Sequence, residues 1–196
     1  MHYPPKSIPY FAEDRYGNSW LYKPTLLKPC RFLTALRIRS GNTSDRVCLN
    51  KVIPQATTKC RKCKNCINTL AHVLGQCMHT NSQRMHRHDE IRNFISRKLA
   101  ANTRIFQVIE AAISTPSGTL KPDLLVNNLE RVLVIDVNVR HEGTGYLEEG
   151  RTRKIRKYTP LLPLLAEQLQ AEPSRVIPIV DTRGAIPKVT IASQGP

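Results

Sequence analysis

Acidic residues are scarce where the chain is most basic. Between Arg15 and Arg104 the sequence has 18 Lys/Arg but only three acids, Asp45, Asp89 and Glu90. Such a stretch excludes a cationic partner and favours a polyanion, with nucleic acid the leading reading over a merely solvated basic face. No apolar run approaches the roughly 20 residues needed to cross a bilayer. The opening Met1-His-Tyr-Pro-Pro lacks the apolar segment of a signal peptide. Internal repeats and low-complexity tracts are absent as well. These absences lead us to expect a soluble, intracellular chain whose thiols stay reduced.

What is present is a net charge of +15 from 30 basic and 15 acidic residues, with 40% hydrophobic residues over 196 positions. That is enough for one ordinary domain and a smaller appendage. Six cysteines in a reducing compartment point to metal before disulfides.

Residues 1–24 show no clear period. Leu26–Arg39 reads as a basic, partly helical segment, Gly41–Asp45 as a turn, and Val47–Ile53 as a short strand or helix. His88–Leu99 follows a helical period through Ile91, Phe94, Ile95 and Leu99. Strands are predicted over Ile105–Ile113, Leu120–Val126 and Val132–Val139, with turns at Pro116-Ser-Gly118 and Asn127-Asn128. Gly143-Thr-Gly145 breaks the chain. Helices are predicted over Tyr146–Tyr158 and Leu161–Ala171, separated at Pro160, and a last strand over Val176–Val180. The order after residue 88 is helix, three strands, helix, strand: an α/β fold with a mixed sheet of about four strands.

Cys60, Cys63, His72 and Cys77 form a compact cluster. Zinc takes four thiolate or imidazole ligands in a tetrahedron, and the two-residue gap lets one turn present two thiolates. His72 and Cys77 lie five apart, within reach of a single helical turn and its end. Cys66 could replace Cys60 or Cys63. Four protein ligands leave no open position, so the zinc is structural. Lys59, Arg61, Lys62 and Lys64 surround the site and suit phosphate contact. Cys30 and Cys48 read as ordinary thiols.

A second constellation is acidic. Asp123 starts one strand and Asp136 interrupts a run of apolar β-formers. A carboxylate there costs free energy unless a cation meets it. Adjacent antiparallel strands would bring the two carboxylates together, and a divalent ion such as Mg²⁺ relieves their repulsion. Glu110 is a possible third acid. The competing reading makes Asp123 a turn residue and pairs Asp136 with Arg153. Lys154 and Lys157 share a helix face, either near a metal-bound water or along the DNA backbone.

These motifs, in this order, resemble the carboxy-terminal part of the polyproteins of site-specific non-LTR retrotransposons of the R-two type, which insert into large-subunit ribosomal RNA genes. The resemblance runs from about Pro29 to Val180. It implies a zinc knuckle at Cys60, Cys63, His72 and Cys77, and a restriction-like endonuclease of the PD-(D/E)xK type. Lys121-Pro122-Asp123 and Asp136 look like its metal-binding acids. Arg87-His88-Asp89 resembles a family Arg-His-Asn element and is implied to grip nucleic acid. Lys154, Lys157 and Tyr158 resemble its Lys-x-x-Lys-Tyr element. The wider superfamily carries a lysine two residues after the second acid, where this chain has Asn138. The resemblance therefore implies that Lys154 takes that role, with Lys157 and Tyr158 as helpers.

The implied organisation is a basic linker over 1–58 following a missing reverse transcriptase, a knuckle over 59–80, an endonuclease over 84–185 and a tail over 186–196. The implied cofactors are Zn²⁺ and Mg²⁺. The implied activity is nicking of target DNA, in ribosomal RNA genes, to prime reverse transcription of element RNA in the nucleus. Two rivals stand beside it: a zinc-dependent nucleic-acid-binding module that no longer cuts, and a domain that only supports a polymerase.

Overall fold

The computed structural model describes Arg15 and residues 18–54, 57–128, 131–140, 146–170 and 172–182. The irregular start, the Gly143-Thr-Gly145 break and the tail expected at 186–196 fall outside these residues, apart from a helical turn at Ser19–Tyr22. Two compact units emerge. One contains the described residues up to Met85 together with Arg140, Tyr146 and Thr182; the other contains His86–Val139 and Leu147–Asp181.

In the first unit, Pro29 opens helix α1 (Pro29–Arg39) at a position where a missing N–H has no helical partner to lose. Gly41, at φ +69°, follows its C-terminus in the left-handed region that only glycine enters without strain. The strand-or-helix ambiguity after Asp45 resolves as helix α2 (Arg46–Asn50), because Asp45 Oδ1 caps it by accepting the Cys48 N–H at 2.9 Å. Asn68 ties α2 to the cysteine-rich loop. Its Oδ1 accepts the Arg46 N–H at 2.8 Å, while the Arg46 guanidinium donates to the carbonyls of Thr57 and Lys59.

Helix α3 (Asn81–Ala100) is longer than the sequence period showed. In the second unit the strands are β1 (Phe106–Ile109), β2 (Ile113–Thr115), β3 (Gly118–Leu120), β4 (Leu124–Asn127), β5 (Arg131–Arg140) and β6 (Glu172–Thr182). Each of the first two predicted strands is split in two. Glu110 takes φ +51° and turns the chain out of the sheet after β1. Pro122, fully buried and without an N–H, separates β3 from β4. The pieces between form a small hairpin, β2–β3, around Pro116-Ser117.

The main sheet has the order β1-β4-β5-β6, with β4 antiparallel to both β1 and β5. Helices α4 (Tyr146–Tyr158) and α5 (Leu161–Leu169) lie between β5 and β6 in the chain. Alternation along β5 serves two cores. Val132 and Val134 pack with Tyr158, Leu161 and Leu165, while Ile135 packs with Leu124, Val126 and the α3 residues Ile95 and Leu99. At the sheet edge, β1 leaves Phe106 and Val108 exposed. Among the described residues no helix is long and apolar enough to cross a membrane.

Leu161 is wholly buried at the centre of the first core. Leu161→Ala is expected to destabilise the sheet unit by about 2–5 kcal/mol. Urea unfolding followed by far-UV circular dichroism should show a lower midpoint with an unchanged slope.

Candidate metal centres

The cysteine-rich loop is built from a tight turn closed by backbone bonds. Cys60 N–H donates to the Cys66 carbonyl at 2.7 Å, Lys64 N–H donates to the Cys60 carbonyl at 3.0 Å, and Lys64 sits at φ +60°. This folds Cys63 back beside Cys60. His72 and Cys77 are presented by one π-turn over His72–Gln76, closed by the Cys77 N–H to the His72 carbonyl at 2.8 Å. A five-residue separation thus becomes a single turn with both ligands at its ends.

The ligand atoms of Cys60, Cys63, His72 and Cys77 all lie within 4.8 Å of one another. Cys60 Sγ and Cys77 Sγ are 3.9 Å apart, and Cys63 Sγ is 3.3 Å from His72 Nε2. Thiolates around a tetrahedral zinc sit about 3.8 Å apart, given metal–sulfur bonds of about 2.3 Å. The set fits a metal ion such as zinc. Cys66 is exposed and stands outside it, so the alternative ligand set is not the one assembled.

Burial pushes the Cys60 thiol up, but the amides of Cys63 and Lys62 and the neighbouring His72 outweigh it, bringing the pKa down to about 6. Cys77 is pushed up, by burial first. One thiol is ready to ionise and its neighbour resists; a cation between them would settle both as thiolates. Arg61, Lys62 and Lys64 project around the loop as exposed cations. A cavity of about 320 Å³ adjoins it, with Leu70, Val73, Asn68 and Arg61 among its walls.

The acids assemble in the second unit. Asp123 lies one step beyond the recorded Leu124–Ile135 pair, opposite Asp136 in the antiparallel register. Asp123, in the bend just before β4, and Asp136 of β5 therefore stand at the same level. Asp136 is 2% exposed and forms an ion pair with Lys154 of α4. The pairing with Arg153 is not made: Arg153 is exposed, whereas Lys154 and Tyr158, four apart, share the inward face. Tyr158 is fully buried, donates to the Lys121 carbonyl at 3.2 Å and accepts from Lys157 Nζ at 3.0 Å. Its hydroxyl is pushed far up by burial and by Asp136 and Asp123, so it stays neutral.

Asp123 Oδ2 accepts two bonds, from the Val137 N–H at 2.7 Å and from His88 Nε2 at 3.1 Å. Burial raises its pKa, but the His88 bond, the Val137 amide and the Lys154 charge lower it further, so the carboxylate stays ionised. His88 itself rises to about 9, chiefly through Asp123, against the opposing effect of burial. His88 is thus engaged by Asp123 and, through Nδ1, by Asp89 at 3.3 Å. The sequence carried no sign of this contact across 35 positions. Arg87 is half-buried. Glu110 is exposed, paired with Arg92 and with Lys121 at 2.8 Å, and its pKa is lowered mainly by Lys121.

No family model matches the chain. Individual proteins do. The Pol polyprotein of a type-1 retrotransposable element R2 from Popillia japonica is 31% identical over 166 residues, covering 80% of this chain and 22% of the relative. A second such polyprotein from that organism is 33% identical over 149 residues, covering 73% of this chain and 32% of its own length. The Pol polyprotein of the type-2 element R2DM from Drosophila melanogaster is 25% identical over 146 residues, covering 73% and 14%. The chain belongs to the R2-type retrotransposon Pol polyproteins. It spans between about a seventh and a third of the length of these relatives, and is a fragment-sized counterpart of them.

Within this R2-type segment the first unit has a particular weakness. Among the described residues, its only buried apolar side chains are Cys60 and Cys77. Chelation of zinc from the protein is therefore expected to unfold the first unit while the sheet unit keeps its dichroism, because the ligands replace the missing apolar core. Cys60→Ser should lower bound zinc measured by native mass spectrometry, and Cys66→Ser should leave it unchanged.

The raised His88 pKa carries a pH prediction. Its bond to Asp123 stabilises the metal-free fold fully below pH 6.5, and the contribution fades as pH rises through about 9. NMR of the imidazole should give that midpoint, and His88→Gln should flatten the stability profile across the window.

Proposed function

We propose that this segment is a metal-dependent DNA endonuclease with a core of the PD-(D/E)xK type, and that its zinc cluster is a structural knuckle. The observation that carries the reading is the convergence of Asp123, just ahead of β4, Asp136 in the middle of β5 and Lys154 of α4. Two carboxylates brought level in the antiparallel register repel each other, and a divalent ion between them would remove the repulsion. The oxygen-only donor set suits Mg²⁺.

When bound, Mg²⁺ would supply charge to the scissile phosphate and favour a water as nucleophile. Asp123 and Asp136 would hold the ion. Lys154 offers its ammonium to the charge that develops on phosphorus. The water oxygen bonds to phosphorus, the bond to the 3′ oxygen breaks, and that oxygen leaves as a hydroxyl with a proton. Lys157 and Tyr158 brace the site from α4, and Glu110 is a more remote helper. Zinc held by Cys60, Cys63, His72 and Cys77 would have four protein ligands and would serve structure rather than chemistry. Arg61, Lys62 and Lys64 meet the phosphate backbone.

The R2 kinship supports a wider setting. The freed 3′ hydroxyl primes reverse transcription of element RNA by a polymerase elsewhere in the polyprotein, at ribosomal RNA genes in the nucleus. A second reading has its own support: Lys154 already neutralises buried Asp136, which an inactive, basic binding module would also need.

Plasmid nicking separates the two. The first reading expects nicked circles with Mg²⁺, reduced by roughly two orders of magnitude or more in Asp123→Ala and Asp136→Asn. Salt-sensitive DNA binding without nicking, unchanged in Asp123→Ala, would establish the second.

A further inference from the structure

A closed ring of alternating charges runs through the second unit. Asp123 meets His88, His88 meets Asp89, and Asp89 meets Arg92 at 3.3 Å. Arg92 then pairs with Glu110, and Glu110 with Lys121 at 2.8 Å. Lys121 stands two residues before Asp123, so the chain itself closes the ring. The Glu110 N–H also donates to the Asp123 carbonyl at 3.0 Å, crossing it.

The ring acts on one oxygen. Both hydrogen bonds to the Asp123 carboxylate, from His88 and from the Val137 amide, fall on Oδ2. Oδ1 has no protein partner among the described residues. Two donors on one oxygen, one from a helix and one from the neighbouring strand, fix both torsions of a short side chain. They leave the other oxygen as the one facing an incoming ion.

We infer that His88 is a positioning residue: with the Val137 amide it holds Oδ2 of Asp123, so that Oδ1 alone binds the catalytic divalent cation. This inference rests on the endonuclease reading above and deepens it. It departs from the expectation that His88 grips nucleic acid, because the imidazole nitrogens are committed to Asp123 and Asp89. A cation beside a metal ligand does not increase the ligand's hold on the metal. The contribution of His88 is therefore to geometry, and it appears in turnover at saturating metal.

Two variants divide the ring. His88→Gln places an amide donor near the position of Nε2 and can reach Asp123. His88→Asn places one near Nδ1, keeping the Asp89 side while falling short of Asp123. Nicking of a plasmid is measured at saturating Mg²⁺ over a range of DNA concentrations, with Mn²⁺ binding by calorimetry and thermal melting on the same samples. We expect His88→Asn to lower kcat by roughly ten- to a hundredfold, the scale of one charge-assisted hydrogen bond. KM for DNA and the melting temperature should change little, and His88→Gln should recover most of the rate. A raised KM with unchanged kcat in both variants would make His88 a nucleic-acid contact and overturn the inference. So would equal losses in both variants that follow their melting temperatures. An active wild type with fully active variants would overturn it while leaving the endonuclease reading intact. A wild type that neither nicks nor binds Mn²⁺ would remove the reading and the inference together.

Discussion

A carboxylate buried in the interior of β5 must be met by a cation, and in this protein Lys154 meets it. An isolated charge in such a place would cost far more than one strand's packing can return. The pair therefore dictates how α4 lies on the sheet. Lys154 points inward to reach Asp136, and Tyr158, one turn on, follows it into the core beside Val132 and Val134. The same turn sends Arg153 outward, while exposed Lys157 folds its ammonium back onto the Tyr158 hydroxyl. One ion pair thus couples the helix's hydrophobic seating to the placement of the Lys154 ammonium.

The two units are held together by different physics. The sheet unit has two cores of aliphatic side chains on opposite faces. The first unit relies on capped turns, the Arg46 and Asn68 clamps, and four ligand side chains closing on one point. Where apolar burial is small, a metal ion held by such a cluster would supply the missing folding force.

Much of this was legible in the sequence, for identifiable reasons. The ligand set shows itself because zinc accepts few residue types at few spacings. Asp136 shows itself because it stands alone among valines and isoleucines. The end of α4 and the start of α5 show themselves through Pro160. Other features were hidden. A period-two pattern runs straight through Glu110, since side-chain alternation does not register one residue in the left-handed region. The Arg153 or Lys154 choice needed the helix rotation, which spacing leaves open. The His88–Asp123 contact joins residues whose neighbourhood exists only after the sheet has formed. The full length of α3 was missed because its first turn is polar and carries no hydrophobic period.

The edge strand β1 has a consequence for how the protein behaves in bulk. Among the described residues its outer edge has no partner strand, and with the exposed Phe106 and Val108 it offers a template on which another copy can add a strand. Repulsion between chains carrying a net +15 opposes this at low ionic strength. At about 0.1 M salt that repulsion reaches only about 10 Å. Colloidal stability is therefore greatest in dilute buffer, and concentrated salt, a common remedy for sticky basic proteins, removes the force that keeps these edges apart.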